Sequence, residues 1–297
     1  HASTSQTSQS AFEASRSDRS APPGGLFVLC RNVGQARAAI RAGADGVTLD
    51  FLELTGTGDA LRSLREEAVA RGERVHITVT PPRIRKPGEE KIDKYLLSLQ
   101  PDAVLLRGLG GLGEASALGV PTIADFSLNV TNRLTAERVL RCGVSAFTPS
   151  FDLDSNQLIS LLSNGLGPFA EVVVHHPMPL FHMEHCVFAA LLSNGGDYKT
   201  CGRPCERHQV SLRDRAAMLH PIEADVGCRN TVFHGKSQSA ATLVPKLKAL
   251  GVSRFRIELV RETEGDVERV VTMYRKLIQG EQAAEEVWRA LRLWAEA

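Results

Sequence analysis

Leu26-Phe-Val-Leu-Cys-Arg-Asn-Val-Gly-Gln-Ala-Arg-Ala-Ala-Ile-Arg-Ala-Gly-Ala-Asp-Gly-Val-Thr-Leu-Asp-Phe51 holds one whole structural unit. An apolar run ends at Cys30, a helical pattern runs through Ala36 to Arg41, Gly43 stops it, and a second apolar run spans Gly46 to Phe51. Short apolar runs rich in branched side chains read as strands. Glycine just past a helical run reads as its stop, because glycine takes the left-handed conformation without a side-chain clash.

The unit recurs along the chain. Further strands are expected at Val75–Val79, Ala103–Leu106, Thr122–Asp125, Ala146–Thr148, Glu171–Val174 and Phe255–Leu259. Helices are expected at Leu61–Ala70, Ile92–Leu99, Ala136–Arg141, Gln157–Leu162, Thr242–Leu250 and Val267–Leu277, with Gly143 and Gly251 repeating the stop. Strands that alternate with helices predict an α/β fold, a (β/α)8 TIM-type barrel. An open doubly wound sheet would need a switch point that the pattern does not provide.

One interval breaks the rhythm. The gap from Val174 to Thr242 far exceeds an ordinary βα loop, so a cysteine-bearing insertion, residues 178–240, is expected after the seventh strand, on the catalytic face. Residues 1–25 are Ser-rich, end in Pro22-Pro-Gly-Gly25 and read as a disordered leader or linker. The chain does not begin with Met, which suggests a piece of a longer protein. Residues 26–280 form the barrel with its insertion. Residues 281–297 read as an amphipathic C-terminal helix with Trp288, Leu291 and Trp294 on one face, suited to docking rather than to a membrane.

With 297 residues, 43% hydrophobic, the chain has ample material for a core, and its net charge of +1 favours no class of partner. No run approaches the ~18 apolar residues of a membrane span, and the N-terminal stretch lacks the apolar core expected of a secretory signal. A cytoplasmic location follows as an expectation, one in which thiols stay reduced. Cys30 and Cys142 read as buried small hydrophobes.

The other four cysteines, Cys186, Cys201, Cys205 and Cys228, have the spacing C-x14-C-x3-C-x22-C. Thiolates are soft donors, and Cys201-Gly-Arg-Pro-Cys205 presents two of them on one tight loop. Neither the CxxC pairs of structural zinc sites nor the compact CxxxCxxC of radical enzymes is present. A [4Fe–4S] cluster is the first expectation and Zn the alternative. His182, His185 and the pair His175-His176 stand near these cysteines in sequence. Adjacent residues on a strand face opposite ways, so at most one of that pair faces the barrel mouth. Glu184, His185 and His176 are the candidate proton-handling groups.

Cationic residues crowd the same expected face: Arg83, Arg85, Lys86, Arg107, Arg203, Arg207, Arg213, Arg215 and Arg229. Guanidinium forks match carboxylate or phosphate, so the expected partner is an anionic small molecule or RNA. Arg107, Arg203 and Arg229, with Asp125 and Asn129 at the end of the fifth strand, are the candidate substrate-binding residues. Ser127 and Asn132 lie in the same segment. Gly108-Leu-Gly-Gly-Leu-Gly113 matches the dinucleotide fingerprint in letters only, since no acidic residue follows at the right distance. Asn129-Val-Thr131 is a glycosylation pattern without force in the cytoplasm.

His182-Met-Glu-His-Cys186, Tyr198-Lys-Thr-Cys-Gly-Arg-Pro-Cys205 and Asp225-Val-Gly-Cys-Arg-Asn230 resemble the C-terminal half of the collagenase-like peptidase family, peptidase family U-thirty-two. The resemblance runs from about Leu26 to Leu277. Relatives include oxygen-independent hydroxylation proteins of RNA and ubiquinone precursors that carry a [4Fe–4S] cluster on four cysteines, several of them dependent on prephenate. The resemblance implies Cys186, Cys201, Cys205 and Cys228 as cluster ligands, with prephenate as a co-substrate whose carboxylates fall to nearby arginines. Three function classes follow: hydroxylation of an RNA base or aromatic ring, a metal-dependent peptidase, and a non-catalytic metal-stabilised binding module beside a protein partner subunit. The peptidase class lacks HExxH, Gly-x-Ser-x-Gly and an open three-ligand zinc set in the sequence.

Overall fold

The computed structural model describes residues 21–52, 54–114, 117–195, 199–291 and 294–295. Most of the expected leader, residues 1–20, lies outside them. The first half alternates β1 (Gly25–Cys30), α1 (Val33–Arg41), β2 (Gly46–Leu49), α2 (Leu54–Ala70), β3 (His76–Val79), α3 (Glu90–Ser98), β4 (Ala103–Leu106) and α4 (Leu109–Glu114). β5 (Thr122–Ala124), α5 (Arg133–Arg141), β6 (Ala146–Phe147) and α6 (Ser155–Leu162) continue the alternation. α1, α5 and α6 start two or three residues before their expected limits because polar caps precede the apolar pattern. Asn32, Asn132 and Asp154 accept from the backbone N–H groups of Gln35, Thr135 and Gln157.

β7 (Glu171–Met183), α7 (Val187–Leu192), β8 (Val210–Arg213), β9 (Leu219–Ala224) and β10 (Asn230–Ser239) follow, then α8 (Val244–Ala249), β11 (Arg254–Glu258), α9 (Glu264–Gln279), α10 (Ala284–Leu291) and β12 (Trp294–Ala295). The strands of both halves belong to one curled, mixed sheet of order β6-β5-β4-β3-β2-β1-β11-β7-β10-β9-β8, with β12 beside β10. The segment from β6 to β7 in that order is parallel, and a parallel bridge joins Phe147 to Ala170. From β7 through β10 and β9 to β8 the pairing is antiparallel. Helices pack outside, and apolar residues of strands and helices form one main core that includes Val28, Val47, Ile77, Phe255 and Ile257.

β7 runs nine residues past its expected end at Val174. Its prolines read as breakers, yet Pro177 and Pro179 sit where the ladder with β10 is irregular, positions at which a missing N–H does little harm. The cysteine-bearing segment therefore grows out of the sheet itself through β7 and β10. The tail also differs from expectation: its helix ends at Leu291, and Trp294-Ala295 pairs with Gln238-Ser239 of β10. Ala284, Val287 and Leu291 are buried against this chain's own core. Gly110 and Gly111 lie inside α4, so the glycine run forms helix rather than a phosphate-cradling turn. Among the described residues no helix is long and apolar enough to cross a membrane.

Candidate functional site

Arg254-Phe-Arg-Ile-Glu258 alternates along β11, which sends Phe255 and Ile257 into the apolar core and Arg254, Arg256 and Glu258 to the other face. Arg254 donates through Nε and a terminal nitrogen to Glu171 of β7, at 2.9 and 2.6 Å. Arg256, fully buried, donates to the other Glu171 oxygen at 2.9 Å and to Asp125 at 2.5 Å, and stands 2.8 Å from Glu258. Arg107, just past β4, donates to Asp125 at 3.1 Å and grips both oxygens of Asp50 at 3.1 and 2.8 Å. Arg31 also donates to Asp50. Four arginines and four carboxylates thus balance one another through the interior of the curled sheet.

Burial alone would raise the Asp50 and Asp125 carboxyls. For Asp50 Arg107 and Arg31 overcome it, and for Asp125 Arg256 and Arg107 do, so both stay below the usual carboxylate range. Glu258 goes the other way, because burial outweighs Arg256.

The ladder ends under an open cavity of about 110 Å³ at the C-terminal ends of the strands. Arg31, Arg83, Arg107, His182, Phe126 and Phe233 are among its walls. Arg83 lies 5.1 Å from the Phe126 ring, which stacks on Phe151 at 4.0 Å. The His182 Nδ1 bonds the Thr231 hydroxyl at 2.9 Å, while its Nε2 is shielded from solvent and has no partner among the described residues. Desolvation, then the charges of Arg83 and Arg107, push the imidazole down to about 4. It is neutral at ordinary pH.

The same wall leads to the cysteines. Asp225 and Val226 line the cavity and open the turn between β9 and β10 that carries Cys228 in the left-handed region, φ 61°. Asp225 accepts from the N–H groups of Gly227 and Arg229 at 2.8 and 2.9 Å and so fixes that turn. Cys186 begins α7. Asn230, fully buried, accepts from the Val187 N–H at 2.7 Å and directs its amide nitrogen at the Cys186 sulfur, 3.9 Å away. Cys186 and Cys205 flank a small apolar core of Phe188, Ile222 and Val232. Gly202 and Arg203 both take positive φ, which curls the loop and lets the Arg203 N–H donate to the Cys201 sulfur at 3.4 Å.

Burial and then the neighbouring sulfurs raise two of these thiols: Cys186 and Cys228 act on Cys205, and Cys186 and Cys201 act on Cys228. Cys228 thus stands within electrostatic reach of Cys186 and Cys201, and Cys205 of Cys186 and Cys228, all four being free thiols. Among the described residues, however, no three His, Cys, Asp or Glu side chains gather around one point as a single metal ion requires.

The other expected residues are spread more widely. Glu184 is exposed and binds Lys86 and Arg229. Arg229, fully buried, also holds Glu89 at 3.0 Å. Arg203 pairs with Glu206, Arg85 with Asp93, and His185 is exposed. His176 lies buried against Phe151, at 4.2 Å between ring centres, and its neighbour His175 faces Tyr274 of α9. Asp125 belongs to the ladder, Ser127 donates to the Arg107 carbonyl, Asn129 ends a short 3-10 helix with φ 52°, and Asn132 caps α5. Only Arg107 of the candidate substrate residues faces the cavity.

Sequence reading passed over Arg31, Asp50, Glu171, Arg256 and Glu258. Arg31 and Asp50 come directly after β1 and β2, as Arg107 does after β4, so the strand-end position was the available signal.

The model of Peptidase family U32 matches residues 31–296, and the chain belongs to that family. No curated protein matches it. Among solved structures, a U32 peptidase is 14% identical over 53% of this chain and 71% of its own, with a TM-score of 0.41. The thiamine phosphate pyrophosphorylase of Pyrococcus furiosus is 11% identical over 87% and 96%, TM-score 0.46. The dihydropteroate synthase of Thermus thermophilus is 14% identical over 88% and 97%, TM-score 0.40. Likeness of this degree transmits no reaction, since one fold hosts many chemistries.

Proposed function

We propose that this U32 chain is an iron–sulfur protein in which Cys186, Cys201, Cys205 and Cys228 hold a [4Fe–4S] cluster beside the arginine-lined cavity. Hydroxylation of an RNA base or aromatic ring without oxygen is the reaction class we assign to it. The supporting observation is that Cys228 rides on the turn whose Asp225 and Val226 form the cavity wall, while Asn230, at the end of the same turn, holds the Val187 N–H and directs its amide nitrogen at Cys186. The donor set fits the group in kind: four soft thiolates, Cys186, Cys201, Cys205 and Cys228, would hold its irons. When bound, such a cluster would carry single electrons, while the oxygen atom and the oxidising equivalents of a hydroxylation would come with a co-substrate.

The chain's own residues do the rest. Asp225 and Asn230 position Cys228 and Cys186, the ladder sets Arg107 and Arg31 rigidly at the cavity floor, and neutral His182 is placed to take or give a hydrogen bond. The reading includes closure of the curled sheet into an eight-stranded barrel with a cysteine-bearing insertion, supported by the Phe147–Ala170 bridge. Prephenate fits less well: Arg107, Arg203 and Arg229 each already hold carboxylates, and no step is assigned to it.

Anaerobic purification with visible absorption and iron analysis tests the proposal. A brown protein with about four irons per chain is expected. A colourless, zinc-loaded protein would overturn it and favour the peptidase or binding-module class.

A further inference from the structure

The cations that crowd this face in the sequence are largely spent in the fold. Lys86, Arg85, Arg203 and Arg229 are each paired with carboxylates outside the cavity, and Arg31 and Arg107 are neutralised within it by Asp50 and Asp125. Arg83 is different. Among the described residues it carries no ion pair or hydrogen bond, and the stacked Phe126 and Phe151 rings support its guanidinium from one face and leave its N–H donors to the cavity. Across the same space stands His182, its Nδ1 fixed by Thr231 and its Nε2 desolvated and unpartnered. A buried polar atom without a partner in a native fold asks for an explanation, and a missing ligand supplies one. The remaining wall includes the apolar side chains of Phe51, Leu54 and Phe233.

We propose that Arg83 and His182 are the recognition pair of this cavity, and that its ligand is a small molecule with one carboxylate on an apolar body. One unpaired guanidinium matches one anionic group. A nucleic-acid backbone or a dicarboxylate brings charges for which the described cavity wall holds no further unpaired cation. Arg83 takes the carboxylate through its fork of donors, and His182 Nε2 completes the contact with a hydrogen bond. The inference rests on the cavity being the reaction chamber of the proposed function, and it assigns the ligand class that the sequence left open between small molecule and RNA.

The test is calorimetric titration of the full chain, kept anaerobic, with sodium benzoate as the probe and a single-stranded RNA oligonucleotide as the competitor. Benzoate is expected to bind at millimolar concentrations. Arg83→Gln should weaken it about tenfold to a hundredfold, the loss of a charge-assisted hydrogen-bonded contact. Arg83→Lys should recover part of that loss, and Arg213→Gln and Arg215→Gln, at exposed positions outside the cavity, should change nothing. Saturation with benzoate should move the His182 ring-nitrogen resonances in the native chain and not in Arg83→Gln. Absence of benzoate binding, equal binding by Arg83→Gln, or displacement of benzoate by the oligonucleotide overturns the inference. Iron measured on the same samples separates the two claims. Arg83-dependent binding by an iron-free, zinc-loaded chain sinks the iron–sulfur reading alone, and a fully loaded chain that ignores benzoate sinks the recognition pair alone.

Discussion

Acid should destabilise this protein through two adjacent histidines well before its carboxylates protonate. His175 and His176 sit back to back on β7, one against Tyr274 and the other against Phe151, and neither Nδ1 has a partner among the described residues. Burial pushes His175 down to about 4. Burial, with His175 and Arg256 as lesser causes, pushes His176 down to about 3. The folded chain therefore keeps both neutral at a pH where the unfolded chain, titrating near 6.5, has bound two protons. Stability contributed by the pair is complete above that value and is lost as pH falls through it toward 4. Between about pH 6 and 5 each histidine should add a slope of about 1 kcal/mol per pH unit to the unfolding free energy. Summed over the window the pair contributes on the order of several kcal/mol, comparable with the whole stability of an ordinary domain, ~5–15 kcal/mol. Urea unfolding across this range measures the slope directly, and the double variant His175→Gln, His176→Gln should flatten it by about 2 kcal/mol per pH unit. An unchanged slope in the double variant, or an imidazole titration near 6.5 in the folded protein, would refute the reasoning.

Arg256→Met strands Asp125 and Glu171 without their shared cation and should cost about 3–5 kcal/mol in denaturant unfolding, part of it recovered by adding Asp125→Asn. Gly167→Ala places a Cβ 2.0 Å from the Leu250 carbonyl oxygen, a backbone atom that cannot step aside, and should lower stability by about 1–3 kcal/mol with a visible drop in Tm. Asn230→Leu removes the bond to the Val187 N–H that sets Cys186 at the start of α7. Iron content per chain should fall while far-ultraviolet circular dichroism stays native.

The eight parallel strands were legible because each is a short apolar run flanked by glycine or a polar cap, a purely local signal. β7 beyond Val174 was not. Its His-His-Pro-Met-Pro run carries no strand pattern, and it extends only because β10, some sixty residues later, offers an antiparallel edge. Trp294 was misplaced on a helix for a similar reason, since its pairing with Gln238 is invisible in its own neighbourhood. In the site, the thiols declared themselves by type and spacing. The arginines did not, because whether a guanidinium is committed depends on a carboxylate elsewhere in the chain: Arg107 looked available until Asp50, fifty-seven residues earlier, closed on it. Arg83, unremarkable in sequence among neighbours of like charge, is left open by the fold among the described residues of the cavity wall.

Low-temperature electron paramagnetic resonance of the anaerobically purified, dithionite-reduced chain probes the four-thiolate centre most directly. A reduced [4Fe–4S] cluster gives a fast-relaxing paramagnetic signal that should vanish, with the visible absorption, in Cys201→Ser, Cys205→Ser. A silent spectrum from protein reconstituted with iron and sulfide, or a signal indifferent to those two substitutions, would contradict the assignment of these cysteines as its ligands.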